Sequence, residues 1–176
     1  MMNLLTRLTP LHKMIPSAFF PPAAEAEIPA LSALPLDVVG LLAQAHHPAA
    51  GAVVLFSGEV RNHNDGQGVD YLEYEAHEVM AAKMIKTILD DAQSKWPLNI
   101  AVAQHRTGKV AIGETAVIVI TASPHRKEAY DANQYIIHRI KHEALIWKCE
   151  YFTDGTRKWG GNCSCCKPPN PLKGEL

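Results

Sequence analysis

A chain of 176 residues, 47% of them apolar, is long enough for one domain with a real core, and its formal net charge of −1 provides no global field to recruit nucleic acid or an acidic membrane surface. No apolar run approaches the roughly 20 residues that cross a bilayer, and the start lacks the long apolar core of a secretory signal, so the chain reads as soluble and any anion recognition as local. The four cysteines, Cys149, Cys163, Cys165 and Cys166, crowd late in the chain instead of spreading as a disulfide framework, which makes a reducing cytoplasm the expected location.

Residues 1–34 are rich in Pro and Ala and read as a flexible N-terminal extension; Arg7 and Lys13 without an early acid leave an organelle-targeting segment open beside that reading. Structure is expected over 35–160, followed by a Cys- and Pro-containing tail over 161–176. The spacing of Leu36, Val39 and Leu42–Ala43 predicts a helix that Pro48 and Gly51 end. "GAVVLFSGEV" reads as a buried strand, "RNHNDGQGVD" as a loop, and "DYLEYEAH" as a strand with one wet face. Met84, Ile85, Ile88, Leu89 and Ala92 form one stripe of a long helix stopped by Pro97.

Two further strands, "NIAVAQHRTGKV" and "ETAVIVITAS", are expected to meet at a Gly-containing turn over Ala111–Gly113. Ala129, Ala132, Ile136 and Ile140 then mark a helix with Ser123 available as N-cap and Pro124 in the first turn, and "ALIWKCEYF" closes the chain as a strand. The sum is an α+β fold, a mixed sheet with packed helices.

Several cations stand where chemistry could use them. His125 and Arg126 fall in the first turn of the last helix, where free N–H groups and the dipole favour an anion and a cation is a poor choice for stability alone. Arg61 opens the loop after a buried strand, a rigid place from which a guanidinium can grip a phosphate, with His63 a weaker neighbour. Lys141 near the helix C-terminus complements the dipole and has an adequate structural explanation. Lys148 is harder to dismiss, because it lies inside a strand. Two amines sharing a partly buried cavity each make the other harder to protonate, and a neutral lysine can serve as base or nucleophile. Cys163, Cys165 and Cys166 do not match paired zinc spacing, and no Walker loop, G-x-S-x-G elbow or H-E-x-x-H is present, so neither metal nor cofactor is expected. A metal-handling tail and a module that docks an extended peptide through its lysines are the competing readings.

"FSGEVRNHN", "LEYEAHEVM", "KWPL", "HRTGKV", "TASPHRKEAYDA" and "IKHEALIWKCE" resemble, in order and spacing from about Gly51 to Trp159, the large catalytic subunit of molybdopterin synthase. The resemblance implies an α/β hammerhead-type fold with an added β-sheet part, over 35–160, and a sulfurtransferase of molybdenum cofactor biosynthesis. Such an enzyme converts cyclic pyranopterin monophosphate to molybdopterin, taking sulfur from the C-terminal Gly-Gly thiocarboxylate of a small ubiquitin-like subunit. It further implies a heterotetramer around a central dimer, catalytic roles for Lys141 and Lys148, and substrate-binding roles for Arg61, His125 and Arg126. The run Leu145–Trp147 would then wedge the two amines around one cavity.

Overall fold

The nine residues Thr115–Ser123 are almost entirely buried, and their neighbours explain why the stretch is apolar on both sides. In the computed structural model, which describes residues 28–161, this strand is β7 in the order β1 (Leu31–Ser32), α1 (Val38–Ala43), β2 (Ala52–Glu59), β3 (His63–Asn64), β4 (Gln67–Ala76), α2 (Glu78–Lys95), β5 (Ile100–Arg106), β6 (Gly108–Ala111), β7, α3 (Arg126–Glu143), β8 (Ile146–Phe152) and β9 (Arg157–Gly161). The fold is the expected α+β class.

The first sheet runs β1-β5-β7-β2, antiparallel except where β1 pairs parallel with β5. Alternate residues of β7 serve opposite faces, as strand geometry requires. Val117 and Val119 pack with Ile85 and Ile88 of α2 and Ile136 and Ile140 of α3, whereas Ile118 and Ile120 pack with Leu41 of α1. The second sheet runs β3-β4-β8-β9, with β6 also paired to β4. Val60, Val69, Leu72, Val110, Ala116 and Phe152 form a separate cluster between the sheets.

Several expectations shift. Residues 31–32 lie in the span expected to be a flexible extension, yet they form β1, and the backbone amides of His105 and Thr107 donate to Ala30 and Ser32. The span "NIAVAQHRTGKV" is two strands, not one: Gly108 has φ 76, and the turn it allows sends β6 into the second sheet. Asp65 and Gly66 at φ 48 and 81 close a tight β3-β4 hairpin inside the expected loop, the Asp-Gly pairing that such turns favour. Ser123 does not cap α3. It pairs with Ala52 as the last residue of β7, and its hydroxyl donates to the Pro97 carbonyl, so the N-cap position falls to His125, without a side-chain capping bond.

α3 is held to the first sheet by polar bonds inside the apolar interface. The buried Asn133 amide donates to the carbonyls of Val54 and Val119, each at 3.1 Å, and the Thr121 hydroxyl donates to the Ala129 carbonyl at 2.8 Å. Leaving those strand carbonyls short of a donor in a dry interface is costly. Asn133→Ala is expected to lower stability by about 2–3 kcal/mol in urea denaturation, and a loss under about 0.5 kcal/mol would show that the interface reseals without the amide.

Candidate functional site

Lys141 sits in the last turn of α3 and Lys148 is the third residue of β8, so a very short connection fixes one amine relative to the other. The anchoring is narrower than the expected three-residue wedge. Ile140 and Ile146 are buried, but Leu145 and Trp147 are 38% and 46% exposed. A strand shows alternate residues to one face, so only the middle residue of Leu145–Trp147 turns inward. Lys148 and Glu150 share that inward face, opposite Tyr74 and Leu72 of β4.

These residues surround a cavity of about 240 Å³ whose walls include Arg61, His63, Asn64, Tyr74, His105, Lys141, Lys148 and Glu150. Lys148 Nζ lies 2.7 Å from Glu150 Oε1, and Asn64 Nδ2 donates to Glu150 Oε2 at 2.8 Å. Burial alone would raise the Glu150 carboxyl, but the bonds from Lys148 and Asn64 prevail and hold it below its ordinary range. Lys148 is therefore a tethered cation. Among the described residues no carboxylate pairs with Lys141; its Nζ lies 5.7 Å from the centre of the Phe56 ring. Its pKa is lowered, first by burial and then by the charges of Lys148 and Arg61. The two amines are thus differentiated, one paired with an acid and one biased toward releasing a proton.

Two further groups line the cavity that residue-by-residue reading passed over. The Tyr74 hydroxyl is pushed up to about 12, by burial and then by Glu150, so it stays protonated. His105, at the end of β5, is 4% exposed, packs edge-on against the Tyr74 ring at 4.9 Å and is held down at about 4, mainly by burial. The polar run Gln104-His105-Arg106 ending an otherwise apolar strand was the signal in the sequence for His105. Glu150 was signalled by its two-residue spacing from Lys148.

Arg61 joins the lysines at the cavity. His125 and Arg126 do not, because they open α3 and Lys141 ends it, a separation of roughly 20 Å along the axis. Cys149 is buried among the residues of the opposite face of β8, whereas Cys163, Cys165 and Cys166 lie outside the described residues. Among the described residues there is no group of three or more His, Cys, Asp or Glu placed to hold a metal, and no helix is long and apolar enough to cross a membrane.

Comparison with known proteins converges on one family. The family model described as "MoaE protein" matches residues 31–143. A molybdopterin synthase catalytic subunit of Nostoc sp. is 42% identical over 137 residues, covering 77% of this chain and 83% of that protein. One from Bacillus subtilis is 39% identical over 136 residues, covering 77% and 87%. Among solved structures, the crystal structure of molybdopterin synthase from Staphylococcus aureus superposes with a TM-score of 0.71 at 40% identity, over 75% of this chain and 96% of that one.

Two measurements check the electrostatics. Replacing Lys148 by Met is expected to move the Lys141 titration upward, read by NMR of the Lys141 side chain; an unchanged titration would show that burial alone sets it. For His105 the folded value of about 4 lies below the ordinary 6.5, so the unfolded chain binds the proton first as pH falls. The stability contributed by the neutral ring is full above about pH 6.5 and declines progressively toward pH 4, by up to about 3 kcal/mol. Denaturation curves of the protein and of His105→Asn should therefore converge as pH falls through that window, and parallel curves would contradict the assignment.

Proposed function

The chain belongs to the MoaE protein family, it is the catalytic subunit of a molybdopterin synthase, and we propose that the cavity between α3 and β8 is where its sulfur transfer takes place. The observation that carries this reading is the differentiated pair of amines, Lys141 and Lys148, at one cavity with Arg61.

Both reactants are anions, a cyclic pyranopterin monophosphate and the C-terminal thiocarboxylate of a small ubiquitin-like subunit. Their mutual repulsion is the first obstacle to reaction. A half-buried cavity lined by three cations against two carboxylates, Glu59 and Glu150, is still a net positive site, and charges fixed there need little reorganisation when the reactants meet. Lys148, anchored by Glu150, steadies the incoming thiocarboxylate. Lys141 exchanges the proton, or forms the transient covalent bond, that activates the substrate or the acyl intermediate. Arg61 grips the phosphate.

His125 and Arg126 enter this account only through a second copy of the chain. Within one copy they lie too far along α3 to touch a substrate held by Lys141. A central dimer, with a small subunit at each end, would let the α3 start of one copy face the cavity of the other. That arrangement lets each copy complete its neighbour's anion site, in the cytoplasm where thiols stay reduced.

Two experiments test the reading. In single turnover with cyclic pyranopterin monophosphate and the thiocarboxylated partner, the protein should form molybdopterin, and Lys141→Ala should lose at least about a thousandfold in rate while still binding the partner. A variant with near-normal turnover would remove Lys141 from the chemistry. Mixing inactive Lys141→Ala with inactive Arg126→Ala should restore about a quarter of the activity, because half of randomly paired dimers then hold one intact site. No recovery would place Arg126 outside a shared site.

A further inference from the structure

His105 has one ring nitrogen committed and the other free. The Arg106 carbonyl can only accept, so the 2.7 Å contact with Nδ1 means that Nδ1 carries the proton. Nε2 is then an acceptor. It has no hydrogen-bond partner among the described residues, it is not among the polar atoms sealed from solvent, and the residue lines the cavity. Its backbone is held by the bond to Ala30 and the pairing with Val117, and the ring itself is confined by burial, by its bond to Arg106 and by the Tyr74 ring edge-on at 4.9 Å.

A buried, uncommitted acceptor is unusual among these walls, because Lys141, Lys148 and Arg61 offer donors only, Glu150 is already engaged by Lys148 and Asn64, and the other carboxylate, Glu59, is exposed to solvent. The cations can hold anionic groups, but none of them can take a hydrogen bond from the heterocycle. A reduced pterin carries ring N–H and amino donors. If they were left unpaired in a dry site, their desolvation would oppose binding. We propose that His105 is a specificity-determining residue whose Nε2 accepts a hydrogen bond from an N–H of the pterin ring, orienting the heterocycle while the cations hold its phosphate. This rests on the reading that the cavity binds the cyclic pterin. Burial keeps the imidazole neutral near pH 7, as an acceptor must be.

Two substitutions separate this role from a structural one. The amide of His105→Gln can place an oxygen near the Nε2 position, whereas that of His105→Asn can place an N–H near the Nδ1 position and so keeps only the bond to Arg106. Binding of the cyclic pterin alone would be measured first, by fluorescence titration, and KM and kcat for the pterin would then be measured with saturating thiocarboxylated partner. The expected result is a tenfold or larger rise in both Kd and KM for His105→Asn, with kcat within threefold and partner affinity unchanged, and recovery to within threefold of the wild-type Kd in His105→Gln. The reverse order, Asn tolerated and Gln impaired, would overturn the proposal in favour of a purely structural bond, as would two variants with wild-type Kd. A protein that binds the pterin but makes no product would sink the proposed activity and leave the His105 assignment decided by the Kd values. A wild-type protein that binds no pterin would overturn the assignment.

Discussion

Holding three cations around one small cavity is the constraint on which the rest of the site depends. Burial and the neighbouring charges of Lys148 and Arg61 both disfavour the charged form of Lys141, whereas Lys148 is paired with an acid. One carboxylate, Glu150, is shared between Lys148 and Asn64, which anchors the Lys148 amine in place. Lys141 takes the remaining strain as a lowered pKa. A site that must gather two anions gains from both outcomes, since a permanent charge attracts and a labile proton reacts.

The scaffold makes this possible by tying the cavity to rigid elements. Lys141 rides on a helix fastened by Asn133 and Thr121 to the buried strands, and Lys148 and Glu150 ride on a strand paired on both sides. Arg61 comes from the connection after β2, and His63 and Asn64 from the two-residue strand β3, which the tight hairpin at Asp65–Gly66 ties to β4. The short link between α3 and β8 holds the helix end and the strand start in a nearly fixed relation. Groups placed this way keep their geometry when solvent is displaced, which is what electrostatic preorganisation requires.

Much of the fold was legible because its signals are local and strong. The stripe on α2, the alternation in β4 and the β-branched run of β7 each follow from burial on known faces. The misplacements arise where distant partners decide. Leu31–Ser32 becomes a strand only because the edge of β5 is free to pair with it, and Ser123 gives up the capping role because its hydroxyl reaches Pro97. At the site, the sequence singled out Lys141, Lys148 and Arg61 by residue type and context, and the structure brings them to one cavity. It could not reveal His105 or Tyr74 as their neighbours, because the turn at Gly108 that divides β5 from β6 is what brings the two sheets together there. His125 and Arg126 were chosen for a helix N-terminus that is real but lies at the other end of α3 from the same chain's cavity.

The central claim is that one cavity receives both anions. The most direct measurement is a crystal structure of the protein with the cyclic pterin and a peptide ending in Gly-Gly carboxylate. The phosphate is expected within hydrogen-bonding distance of Arg61 and the peptide carboxylate at Lys148, with Lys141 between them. A structure that placed either anion on another surface, with the cavity between α3 and β8 holding only water, would contradict it.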